Sequence, residues 1–118
     1  MAYRLRYYLF MKTITAIIRP GKFQDVKEAL IALGVEMMTV VGVMGCGRQE
    51  GYTESYLKSS NEVNLIKKMR LEVLAEDALV KPIVDAIITW SRTGNIGDGK
   101  IFVADAPHYV SISSAHSH

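Results

Sequence analysis

The sequence predicts an α+β domain in which two helices cover one face of an antiparallel sheet. Four short β-branched or alternating stretches mark the strands: Thr13 to Ile18, Thr39 to Met44, Met69 to Val73 and Lys100 to Val103. Two stretches with apolar residues at helical spacing separate the first strand from the second and the third from the fourth. Glycine and proline punctuate the joins.

In chain order, Thr-Ile-Thr-Ala-Ile-Ile at 13–18 is rich in β-branched residues and reads as a strand that Arg19-Pro20-Gly21 ends. Phe23, Val26, Leu30 and Leu33 then recur at helical spacing, and Gly34 is a helix stop. Thr39 to Met44 is the second strand. Gly45 to Asn64, rich in glycine, serine, tyrosine and charge, has no sustained period. A loop of that length in so small a domain is usually functional or mobile. Met69, Leu71 and Val73 alternate with Arg70 and Glu72, the pattern of a strand with one wet face. Leu79, Ile83, Ile87 and Trp90 assign one face of a second helix that ends near Thr93-Gly94. Lys100 to Val103 is the fourth strand, and Tyr109 to Ile112 a short edge strand.

The order β-α-β-loop-β-α-β is the split βαβ, ferredoxin-like pattern. Its helices cover one sheet face, so the apolar residues of the other face call for an oligomer. The domain is expected over residues 11–112, with the long loop at about 46–64 and a flexible polar tail at 113–118. The first ten residues, Met-Ala-Tyr-Arg-Leu-Arg-Tyr-Tyr-Leu-Phe, are set aside from the fold as an extension. Their apolar part is too short for a signal peptide, and no small-residue cleavage site follows.

The chain has 118 residues, 49% hydrophobic and 22% charged, a balance suited to one globular domain. A formal charge of +2 gives no sign of a nucleic-acid partner. A single cysteine, Cys46, excludes a disulfide framework within the chain and fits a reducing cytoplasm. No apolar run is long enough to span a bilayer.

Two glycine-rich segments carry the candidate chemistry: Gly45-Cys46-Gly47-Arg48-Gln49, and Thr93-Gly94-Asn95-Ile96-Gly97-Asp98-Gly99-Lys100. Either alone reads as an ordinary turn. Together they suggest a phosphate site, because glycine lets backbone N–H groups approach an anion closely. Arg48 would add a planar fork of donors and Lys100 a compact charge. Neither segment matches a P-loop or a dinucleotide fingerprint. Arg92 to Val103, Ala16 to Pro20, Met38 to Val40, Gly45 to Gln49 and Gly51 to Tyr56 follow one another in the order and spacing of the PII nitrogen-regulatory proteins. The chain resembles that family from Met11 to about Ile112.

The resemblance implies a homotrimer with an ATP or ADP site in each cleft between subunits. It implies Mg²⁺ and 2-oxoglutarate as companions of ATP, and a partner reached through the long loop, either a membrane transporter or a metabolic enzyme. On that resemblance Ile17, Thr39, Gly45, Gly47, Arg48 and Gln49 line one side of the nucleotide, and Gly97, Asp98, Gly99 and Lys100 hold its phosphates. Gln49 would help bind Mg²⁺ and 2-oxoglutarate, and Lys68 would pair with a 2-oxoglutarate carboxylate. It implies a cytoplasmic regulator rather than an enzyme, associated with the membrane through its partner. Taken alone, Lys68 is a solvated charge beside Lys67 and Arg70.

The chain also departs from the family pattern. Asn61 stands where a loop-tip tyrosine is usually modified, so no modification is expected there. Ser111 and Ser113 stand where two arginines usually reach the phosphates of the neighbouring subunit, so weaker ATP binding, or a preference for a less charged nucleotide, is expected. His108, His116 and His118 raise a second reading, a metal-responsive accessory protein linked to heavy-metal efflux, although their spacing matches no zinc pattern. A third reading, a slow ATPase, lacks a general base paired with a nucleophile.

Overall fold

A computed structural model describes residues 6–7, 11–47 and 64–113. Its elements in chain order are β1 (Arg6–Tyr7), β2 (Met11–Ile18), α1 (Phe23–Ala32), β3 (Thr39–Gly47), β4 (Asn64–Glu76), α2 (Asp77–Ser91), β5 (Gly99–Asp105) and β6 (His108–Tyr109). A 3₁₀ turn, Pro20–Lys22, leads into α1, with Pro20 at a position where a missing N–H costs nothing.

β2 to β5 form one antiparallel sheet in the order β3-β4-β2-β5. That order, with a helix after β2 and another after β4, is the ferredoxin-like arrangement the sequence predicts. Alternation decides which face the helices cover. Ile14, Ala16 and Ile18 of β2 and Leu71, Val73 and Ala75 of β4 are buried, and they meet Val26 and Leu30 of α1 and Ile83 and Ile87 of α2. Fully burying one such leucine or isoleucine stabilises the fold by about 1.5–3 kcal/mol. The opposite face carries Thr15, Ile17, Arg70, Glu72 and Phe102, which share it because Ile17 pairs with Arg70, and Thr15 with both Glu72 and Phe102.

α1 stops where Gly34 takes a φ of 93°, so that its N–H reaches the Ile31 carbonyl (2.9 Å) and the Val35 N–H reaches that of Leu30 (3.1 Å). These are the two bonds of a Schellman cap, and they satisfy carbonyls at the helix end.

The structure corrects several element boundaries. β3 continues through Gly45-Cys46-Gly47, and β4 begins at Asn64, because Gly45, Cys46 and Gly47 pair with Ile66, Leu65 and Asn64. β4 also runs on to Glu76, held by Met11 across the ladder. The buried stripe of α2 is Ile83, Ile87 and Ser91. Leu79 and Trp90 remain 39% and 49% exposed, Leu79 in the first turn and Trp90 rotated off the stripe. Ser91 is tolerated inside because its Oγ donates to the Ile87 carbonyl at 2.5 Å. The expected edge strand at Tyr109 to Ile112 is instead His108–Tyr109, and its partner is β1: Arg6 faces Tyr109 and Tyr7 faces His108. No helix among the described residues is long and apolar enough to cross a membrane.

Candidate functional site

β2 and β5 pair so that Ile18 lies opposite Gly99 and Ile17 opposite Lys100. The turn from α2 into β5 therefore closes over the end of β2, and this is where the glycines are used. Gly99 has a φ of +118°, and a Cβ built on it would lie 1.8 Å from the Ile17 carbonyl oxygen. Only glycine fits there. The turn passes against the β2 backbone with no side chain between them.

Asp98 organises that turn. Its Oδ2 accepts from the backbone N–H groups of Thr93 (2.8 Å) and Gly94 (2.9 Å). Its Oδ1 accepts from the Thr93 hydroxyl (2.5 Å) and from Arg19 Nε (3.1 Å). Arg19 Nη2 donates in addition to the Ile96 carbonyl at 2.9 Å. The Thr93 hydroxyl above all, with the two backbone donors and Arg19, holds the Asp98 carboxyl well below the usual carboxylate range, against a smaller opposing effect of desolvation.

That depression fixes a pH dependence. The folded-state pKa lies below the unfolded value, so the bonds contribute fully above about pH 4 and are lost as pH falls from there towards the folded value. Asp98→Asn is expected to flatten the stability curve below about pH 4, read by urea unfolding between about pH 3 and pH 6. An unchanged acid limb would show that the carboxylate does not hold the turn.

Lys68 joins the two glycine segments. It sits on β4 opposite Val43, its Cγ would lie 3.7 Å from a Cβ on Gly45, and its Nζ donates to the Gly97 carbonyl. It is only 8% exposed, so the solvated charge its sequence neighbours suggest is corrected. Burial first, and then the nearby Arg19 charge, push its pKa down, while Asp98 opposes them. Ile17 lies at the centre. It lines one cavity with Gly45, Lys68 and Arg70, and a second, of about 400 Å³, with Asp98, Gly99 and Lys100.

Ile17, Gly45, Lys68, Gly97, Asp98, Gly99 and Lys100 thus gather at one end of the sheet. Thr39 does not join them. It begins β3 opposite Glu72, six residues and about 20 Å along the strand from Gly45. It lines a separate cavity with Met38, Glu72 and Leu74. Gly47 is the last described residue of β3. Arg48, Gln49 and Asn61, together with His116 and His118, lie outside the described residues. His108 is exposed on β6, and among the described residues no three His, Cys, Asp or Glu side chains group as metal ligands. The Ser111 and Ser113 hydroxyls stand 3.2 Å apart. Sequence reasoning missed Arg19, whose only signal was its place before a strand-ending proline beside the glycine turn.

The family model for the nitrogen regulatory protein P-II matches residues 11–116. The chain belongs to the P-II family. Nitrogen regulatory protein P-II 2 of Methanothermobacter thermautotrophicus is 44% identical over 109 residues, covering 92% of this chain and 95% of its own. Nitrogen regulatory protein P-II 1 of Escherichia coli K12 is 46% identical over 102 residues, covering 86% and 91%. The P-II protein of Klebsiella oxytoca matches to the same extent, 46% over 102 residues. These P-II relatives are named as regulators rather than enzymes, so the chain is a P-II-type nitrogen regulator.

Proposed function

We propose that this P-II protein binds ATP or ADP in clefts between the subunits of a homotrimer and signals through the loop between β3 and β4 to a membrane transporter or metabolic enzyme. The observation that carries this reading is the bond from Lys68 to the Gly97 carbonyl, because it ties the strand at the loop's base to the glycine turn. A turn that approaches β2 through a bare glycine, with the Lys68 and Lys100 cations beside it, suits a polyphosphate. Gly97 and Gly99 would present backbone to the phosphates, and Lys100 would supply the charge. In this reading the Asp98 carboxylate, already accepting four bonds, shapes the turn that holds the phosphates rather than meeting them itself.

Thr39 supports the inter-subunit reading. Standing so far from Gly45 in its own chain, it would meet the nucleotide from a neighbouring copy. Val41, Leu74 and Phe102, on the sheet face away from the helices, are each about half exposed and would be covered in the trimer. Mg²⁺ would be held through the nucleotide and Gln49, and 2-oxoglutarate by Gln49 and Lys68 at the loop's base.

Calorimetry with ATP and ADP, each with and without Mg²⁺ and 2-oxoglutarate, tests the reading. ATP is expected to bind, to bind more tightly with 2-oxoglutarate, and to bind more weakly than in relatives with arginines at the positions of Ser111 and Ser113. Lys100→Ala is expected to weaken ATP by about tenfold to a hundredfold, one charge-assisted contact. No nucleotide binding at all would overturn the assignment.

A further inference from the structure

The outer seam between the two helices has a composition that neither the core nor the nucleotide reading uses. Each helix runs back along the strand before it, and those strands, β2 and β4, are antiparallel. The helices are therefore antiparallel too, which puts the Asp25 end of α1 at the Trp90 end of α2. Asp25, Glu28, Ala29 and Ala32 form one stripe on α1, and Pro82, Ala86 and Trp90 form the facing stripe on α2. With Leu33 they line a single groove of about 480 Å³. The alanines keep its floor low, and Trp90 and Leu33 stand 49% and 38% exposed at its edges.

Charge complementarity points to the occupant. Among the described residues two carboxylates line the groove and no cationic side chain does. Among the described residues Glu28 accepts only the neutral Gln24 amide, at 3.1 Å, and the one lysine of α2, Lys81, is paired with Asp85 at 2.9 Å. An exposed indole beside two carboxylates above an apolar floor suits one side chain above others. Arginine can stack its guanidinium on the ring, bond a carboxylate through its fork, and lay its methylenes on alanine.

We propose that this groove docks a partner-protein segment carrying an arginine flanked by apolar residues, a contact separate from the loop between β3 and β4. The surface is independent of the nucleotide reading and stands or falls without it.

Trp90 is the chain's single tryptophan, so its emission reports on the groove directly. The probe is the peptide acetyl-Leu-Arg-Leu-amide titrated into the full chain, with acetyl-Leu-Glu-Leu-amide as control. A saturable change is expected with the arginyl peptide alone. It should weaken about fivefold or more in Asp25→Asn combined with Glu28→Gln, both exposed positions where the amides leave the fold intact by circular dichroism, and it should weaken in high salt. An equal response to both peptides, an undiminished response in the double variant, or no saturable response would overturn the proposal.

Discussion

Gly99→Ala is expected to be the most damaging single substitution in the described chain. The new Cβ would sit 1.8 Å from the Ile17 carbonyl oxygen, at a φ of +118° that L-residues rarely adopt. Neither obstacle can yield cheaply, because the clashing atom is the backbone of a core strand flanked by β4 and β5. Opening the β2–β5 ladder or straining the turn should cost at least about 3 kcal/mol. That is a large share of the about 5–15 kcal/mol a domain possesses. The urea midpoint should fall sharply, and the proposed ATP binding should vanish with it. Gly21→Ala supplies the comparison: nothing lies within 4 Å of a Cβ there and its φ is ordinary, so little change is expected. Equal midpoints for the two variants would mean that the turn does not press on β2.

Lys68→Met is expected to separate stability from signalling. The wild-type ammonium is buried and donates to the Gly97 carbonyl, and two opposing effects follow from its removal. Losing a bond to a charged group costs about 1.5–3 kcal/mol. Relieving the burial of a charge, the main cause of this lysine's lowered pKa, returns a comparable amount. Methionine fills a similar volume, so the unfolding free energy from urea titration should move by less than about 1 kcal/mol in either direction. The effect of 2-oxoglutarate on ATP affinity should nevertheless disappear, because the group proposed to meet its carboxylate is gone. A variant that keeps the full 2-oxoglutarate response would remove Lys68 from the effector site.

Much of the fold was legible because periodicity is a direct record of burial. The buried Ile14, Ala16 and Ile18 alternate in β2, and the helical stripes of α1 and α2 carry the rest of the core. The errors have local causes. Gly45 and Gly47 read as loop because glycine is a poor strand former, yet ladder bonds to Ile66 and Asn64 hold them extended. Lys67 and Lys68 hid the start of β4, since a charge pair looks solvated until the fold brings the Gly97 carbonyl to one of them. Trp90 was placed on the buried face by its helical spacing from Ile83 and Ile87, whereas Ser91 took that position because its hydroxyl has a carbonyl one turn back. The two-residue pairing of β1 with β6 has no period to read. The glycines of the site were visible in sequence, but the partnership of Arg19 with Asp98, 79 residues apart, depends on β2 and β5 being neighbours.

The β3–β4 ladder limits how any change at the loop's base can travel. Its register is unbroken from Thr39 opposite Glu72 to Gly47 opposite Asn64. Side chains along a strand change faces at every residue, so sliding β4 by one position would carry Lys68 to the helix side and away from Gly97. Sliding by two would restore the face but sacrifice the pairing with β2 as well. The hairpin root therefore resists translation and is free to flex or twist. On the proposed signalling through this loop, a message leaving this end of the sheet would move as a change of angle, a rudder turned at its post rather than a rod pushed along its length.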